Sequence, residues 1–222
     1  MFTGFSDATI DFLWELRFHN ERPWFLEHKQ VFLDTLDRPM KALAAEVTAA
    51  LEQAYPQRKW YLHVARIYRD ARRLHGNGPY KESLWFTLRC DSSRGPEIPA
   101  FYFEITPHNY SYGMGCYWAK ANTMACFRRA IDADPLPLTK LAERLNAQST
   151  FVLAGQDYVR PKGNPGALLS PWYNKRVLDL SCVRAHDDLL FSPALTDELV
   201  RGFGFLLPYY DYLEAVTRRE DA

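Results

Sequence analysis

Residues 66–90, RIYRDARRLHGNGPYKESLWFTLRC, gather Arg66, Arg69, Arg72, Arg73, Lys81 and Arg89 around an apolar strand pattern, with Asp70 and Glu82 the only acids among them. Guanidinium, ammonium and phenol groups together form the donor set suited to a phosphate or a carboxylate. An arginine inside a strand pattern is seldom left unpaired when buried, so Arg66 is expected to meet Glu104 across a sheet. Pairing off Asp70 and Glu104 still leaves Arg69, Arg72, Arg73 and Lys81 without acids nearby in the chain. Three readings stay open for this surplus: a pocket for an anion, a docking face for an acidic partner, or structural arginine–carboxylate ladders on a solvated face.

Other chemistries find less support. Histidines 19, 28, 63, 75, 108 and 186 have no HxxxH or HxH spacing, so no metal site is expected. No GxSxG, P-loop or GxGxxG occurs, and no cofactor is implied. Cys116 lies near His108 in sequence but reads as a small apolar group. Asp70 and Glu104 would suit acid–base work if the sheet joined them, although pairing with arginines is the more ordinary role. Tyr102, Tyr117 and nearby arginines resemble a base-stacking platform, yet zero net charge and the lack of an RNP-type motif argue against nucleic acid.

These residues must be positioned by a sheet. LHVARIYR (62–69), SLWFTLRC (83–90), AFYFEITP (100–107) and YSYGMGCYW (110–118) are β-branched and aromatic, joined by short Gly/Pro loops, which implies antiparallel strands. A period of two puts Phe101, Phe103 and Ile105 on a core face, with Tyr102 and Glu104 on the other. Gly113 and Gly115 would form a floor beneath Tyr102 and Glu104. Glycine inside a strand marks close approach of a ligand, another backbone or an aromatic ring. Helices flank this region. Ser6 is expected to cap the first, with Phe5 stapled on Ile10; Asn20 to cap the next, with Pro23 in its first turn. Met40, Leu43, Ala44, Val47 and Leu51 repeat at helical spacing after Pro39. Helices are expected again over 124–131 and 138–145, then an irregular stretch over 160–176. Pro208 is expected to break or kink a final helix that starts after Ser192-Pro193.

Read in this order, the motifs resemble a bacterial family of conserved hypothetical proteins, domain of unknown function 2461. The resemblance rests on Arg69, Asp70 and Arg72, followed by Pro79, Tyr80 and Lys81. Upstream, HNERPWFLEHK (19–29) is similar to the family's N-x-x-x-W-F segment. Downstream, FYFEITPHNYSYGMGCYW and FRRAI are similar to its Y-x-E-I-x-P hairpin and R-x-x-I run. It implies an α+β domain of this length and no assigned activity. The chain departs from the pattern where Arg73-Leu74-His75-Gly76-Asn77 stands in place of Phe-Ser-x-Asp-Lys.

The expectation is therefore one α+β domain over 1–222: helical to 55, a sheet over 60–118, and mainly helical from 121, with helices from both chain ends on one sheet face. No apolar run reaches the ~20 residues of a membrane span. Scattered Cys90, Cys116, Cys126 and Cys182, and a first segment unlike a secretory signal, read as a cytoplasmic protein. The expected ligand is an anionic small molecule held by Arg66, Arg69, Asp70, Arg72, Tyr80, Lys81, Tyr102, Glu104, Gly113 and Gly115.

Overall fold

The structure, a computed structural model, describes residues 1–70, 72, 74, 77–90, 98–117 and 121–218, the side chains of 217 and 218 excepted. Four helices come first: α1 (Asp7–Phe18), α2 (Arg22–Glu27), α3 (Lys29–Phe32) and α4 (Arg38–Ala54), the last two joined by a π-helical turn over Leu33–Asp37. Four strands follow, β1 (Tyr61–Val64), β2 (Leu84–Arg89), β3 (Ala100–Ile105) and β4 (Tyr110–Gly115). Then come α5 (Ala121–Ala133), α6 (Leu136–Asn146), β5 (Val152–Ala154), α7 (Ser170–Tyr173), β6 (Asp179–Arg184) and α8 (Leu195–Arg218). The six strands form one antiparallel open sheet, in the order β1-β2-β3-β4-β6-β5. This is the α+β class expected from the sequence. Strands β5 and β6 were not anticipated: β5 is only three residues long, and β6 (DLSCVR) lacks the aromatic and β-branched density of the earlier strands.

Among the described residues the chain forms two compact units. The first comprises Met1–Cys90, Tyr102–Tyr112 and Val183–Arg201. Its α4 buries Met40, Leu43, Ala44, Val47 and Leu51, as the periodicity requires, and packs against β1 and β2. On β2 the alternation is strict: Leu84, Phe86 and Leu88 are fully buried, whereas Trp85, Thr87 and Arg89 point to the other face. Phe103 stacks between Phe86 (5.9 Å) and Phe5 (5.9 Å), so Phe5 serves the sheet core. Each such ring contributes about 1.5–3 kcal/mol by burial.

Thr9 links the first turn of α1 to the π-helical turn. Its hydroxyl accepts from the Ser6 N–H at 3.1 Å and donates to the Thr35 carbonyl at 2.7 Å. Asn20 does not cap α2; Glu21 occupies that position, with Pro23 in the first turn as expected. Nor does the first strand run to 69: β1 stops at Val64, and Ala65 N–H makes the last bond to Trp85 O.

The second unit comprises Asp91–Phe101, Gly113–Cys182 and Gly202–Ala222 where described. Phe101 stacks on Tyr210 and lies tilted against Phe203, each at 5.0 Å. The expected irregular stretch folds around one side chain. Asn174 Oδ1 accepts from Lys162 N–H at 2.6 Å, while its Nδ2 donates to the Gly163 and Ser170 carbonyls. Pro208 leaves α8 unbroken. A helix-interior proline costs about 3 kcal/mol. Buried Phe203, Leu206, Leu207, Tyr209 and Tyr210 flank it, and at about 1.5–3 kcal/mol each they outweigh that cost.

Thr9 is fully buried. Thr9→Val keeps its shape while removing both hydroxyl bonds. The expected loss is about 1–3 kcal/mol, read as a lower urea midpoint at unchanged m-value.

Candidate functional site

The candidate site is built around residues 65–81 of the first unit. After leaving β1 the chain turns back on itself: Arg69 N–H donates to Pro79 O and Lys81 N–H to Ile67 O, each at 2.8 Å, with Tyr68 opposite Tyr80. Tyr80 has no further strand partner because side chains take that place. Its N–H donates to Asn20 Oδ1 at 2.9 Å, and its carbonyl accepts from Asn20 Nδ2 at 3.0 Å and Arg69 Nε at 2.7 Å. The ring of Tyr80, 2% exposed, stacks on Phe25 at 4.0 Å with Tyr68 tilted beside it. Gly78 is required here because a Cβ would overlap the Asn20 side chain. Asn20 therefore supplies a donor and an acceptor to Tyr80 at strand spacing.

This arrangement sorts the cations. Arg69 also reaches Glu82 at 3.7 Å, and Arg17 meets the other oxygen of Glu82 at 3.5 Å. Arg72 is paired with Asp70 at 2.8 Å. Arg73, His75 and Gly76 lie outside the described residues, so the segment that departs from the family pattern is not described as a whole.

Arg66 and Lys81 remain, and the structure adds two residues that sequence reasoning passed over. The β1–β2 register sets Tyr61 opposite Arg89 and His63 opposite Thr87, putting His63 and Arg89 on the face that Trp85 shares. Lys81 lies over the Trp85 ring at 4.5 Å and donates to the Arg66 carbonyl. Among the described residues, none of Arg66, Lys81 and Arg89 forms an ion pair, and Arg89 Nε is buried without a hydrogen-bond partner. Burial, then Arg66 and Arg69, hold the Lys81 ammonium below its ordinary pKa. Burial, then Arg89, Lys81 and Arg66, do the same to His63. The signal for His63 and Arg89 lay in the period of two: Trp85, Thr87 and Arg89 alternate with Leu84, Phe86 and Leu88.

Glu104 does not pair with Arg66. It accepts from Ser83 Oγ at 2.7 Å, and burial raises its pKa above the usual carboxylate range, with the Ser83 bond pulling the other way. Tyr102 is 6% exposed and makes contacts of its own. Gly113 and Gly115 belong to the second unit, where a Cβ on Gly113 would overlap Leu180 O of β6 and one on Gly115 would overlap Leu178 O just before it. Their close approach is thus to a neighbouring backbone, one of the three expected explanations. The buried tyrosines of β4 have carboxylate partners instead: Tyr110 donates to Asp187 at 2.9 Å and Tyr112 to Glu198 at 2.5 Å. Among the described residues no cluster of His, Cys, Asp and Glu is placed to hold a metal ion, and no helix is long and apolar enough to cross a membrane.

Fold and site together define an α+β protein whose antiparallel sheet carries uncompensated positive charge on one face. The family model described as conserved hypothetical protein (DUF2461) matches residues 8–212, and the chain belongs to that family. No curated protein matches it. The motif residues that carried the resemblance meet in space, since Asn20 and Arg69 both donate to the Tyr80 carbonyl.

Asn20→Ala leaves the Tyr80 N–H buried without its acceptor, at an expected cost of about 1–3 kcal/mol. Gly78→Ala is expected to destabilise the parent chain but to cost markedly less beside Asn20→Ala, because the overlapping side chain is gone. A double-mutant cycle by denaturant unfolding measures this non-additivity.

Glu104 gives a pH test. Its folded pKa is raised, so its favourable contribution is complete below the unfolded value and disappears as pH rises through the folded one. Glu104→Gln should therefore unfold at a higher temperature than the parent at pH 7. The two midpoints should converge below the ordinary carboxylate range.

Proposed function

We propose that the protein binds an anionic small molecule, phosphate- or carboxylate-bearing, on the outer face of β1 and β2, in the cytoplasm of a bacterial cell. The observation that carries this reading is the grouping of Arg66, Lys81 and Arg89 around His63 and Trp85 with no ion pair to any of the three among the described residues. Like charges at close range raise one another's free energy, and an anion removes that cost as it adds its own hydrogen bonds. Arg66, exposed and unpaired, offers a bidentate fork. Arg89 offers a buried N–H already stripped of water, and Trp85 a ring edge or face for an apolar part of the ligand. Lys81 is pre-positioned by its bond to the Arg66 carbonyl. Arg69, Asp70, Arg72 and Tyr80 act as supports, because their polar groups are bonded to one another, to Glu82 and to Asn20. The four free cysteines accord with a reducing compartment.

The test is thermal unfolding against phosphates, nucleotides and dicarboxylates, for the parent and Arg66→Ala. A ligand at a hundred times its Kd adds about 2.7 kcal/mol, a rise of roughly 5–10 °C for a chain of this size. Arg66→Ala should keep the unliganded midpoint, having no partner to lose, and should forfeit most of the shift. Bound anion should also move the NMR-monitored titration of His63 to higher pH, since it neutralises the cations that depress it. Indifference to every anion, or equal shifts in both chains, would sink the reading.

A further inference from the structure

The second unit contains a cavity of about 470 Å³ that the proposal above does not use. Its size falls in the range of about 300–1,000 Å³ found for small-molecule sites. Leu145, Phe151, Leu168, Pro171 and Trp172 supply apolar walls. Lys175 and Asp157 line it as well. We propose that this cavity is a second binding site, for a small organic carboxylate with an aliphatic or aromatic body, its carboxylate received by Lys175.

The ammonium is the reason. Lys175 is 8% exposed, a burial seldom seen for lysine. Its backbone is fixed by the bridge to Asp157 and by Tyr158 N–H donating to Asn174 O at 2.9 Å. Lys175 Nζ donates to Gly155 O at 3.1 Å and forms an ion pair with Asp157 Oδ1 at 3.0 Å. An ammonium has three N–H donors, and Lys175 lines the cavity, so donor capacity is left for a ligand carboxylate. The ion pair is lopsided: the Asp157 side chain is 63% exposed and the Lys175 side chain 10%. The carboxylate is therefore hydrated, whereas the ammonium is largely withdrawn from water.

The walls are organised before any ligand arrives. The Gln148 carboxamide is fully committed, accepting from Thr150 and Phe151 N–H and donating to the Leu145 and Phe151 carbonyls, which locks the turn between α6 and β5. Trp172 lies parallel to Tyr209, at 6.3 Å and 5° between planes. A rigid apolar wall facing one desolvated donor suits a molecule with one charged end and an apolar remainder.

The experiment titrates the full chain with octanoate and, separately, with 1-octanol, following the Trp172 indole N–H by NMR, its signal identified with Trp172→Phe. Octanoate should move this signal and bind at least tenfold tighter than octanol. Lys175→Met should erase the preference, Leu168→Trp should block the cavity and abolish both titrations, and Arg66→Ala should leave both unchanged. Equal affinity for octanol and octanoate overturns the role of Lys175 without any variant having to fold. A Trp172 signal unmoved by octanoate overturns the site itself. Neither outcome bears on the anion face of β1 and β2, whose indole reporter is Trp85.

Discussion

One carboxamide holds the functional region together. Asn20 gives its oxygen to the Tyr80 N–H and its nitrogen to the Tyr80 carbonyl, doing with a side chain what a neighbouring strand would do with a backbone. Both bonds are partly buried, where an unmet backbone group costs more than a met one contributes. Much of the local geometry follows from this constraint. Position 78 must lack a side chain, Arg69 is drawn to the same carbonyl, and the chain re-enters the sheet at a point that sets Lys81 over Trp85.

The same constraint explains how a chain with no net charge carries a locally unbalanced surface. Glu82 is shared by Arg17 and Arg69, and Asp70 is taken by Arg72. Acids near the turn are thus consumed in fixing it, while the next cations along the sheet are left to face one another. Glu104, the remaining nearby carboxyl, is bonded to Ser83 and kept from easy ionisation by burial.

Where local pattern and packing agree, the fold was legible. The buried stripe of α4 and the alternating faces of β2 follow from periodicity alone, whereas β3 is buried at every position but Glu104, Tyr102 included. The motif residues around position 80 meet in space. Their roles were less legible: Asn20 read as a helix cap, because caps and strand mimicry use the same amide and only the fold distinguishes them. Residues 65–69 looked like a continuation of the first strand because their side chains are β-forming; they instead pair with residues 79–81, outside β1. Strand β5, at three residues, was below what pattern can resolve, and Pro208 was outvoted by burial on either side of it. His63 and Arg89 were overlooked because the register that aligns them is a property of two strands, not one.

The sheet is open, and β1 is one of its margins. A margin strand presents backbone groups ready to zip onto another chain, and Leu62, 38% exposed, adds an apolar lure. Against this, β1 is four residues long and is bordered by Arg66 and Lys81. Two copies approaching edge to edge about a twofold axis would bring like charges together, at a range where physiological salt screens them incompletely. The same positive charge therefore disfavours edge-to-edge pairing of two copies. If this face binds an anion as proposed, colloidal behaviour and ligand occupancy would be coupled through the same side chains: a protein saturated with anion would surrender part of its guard against sticking to itself.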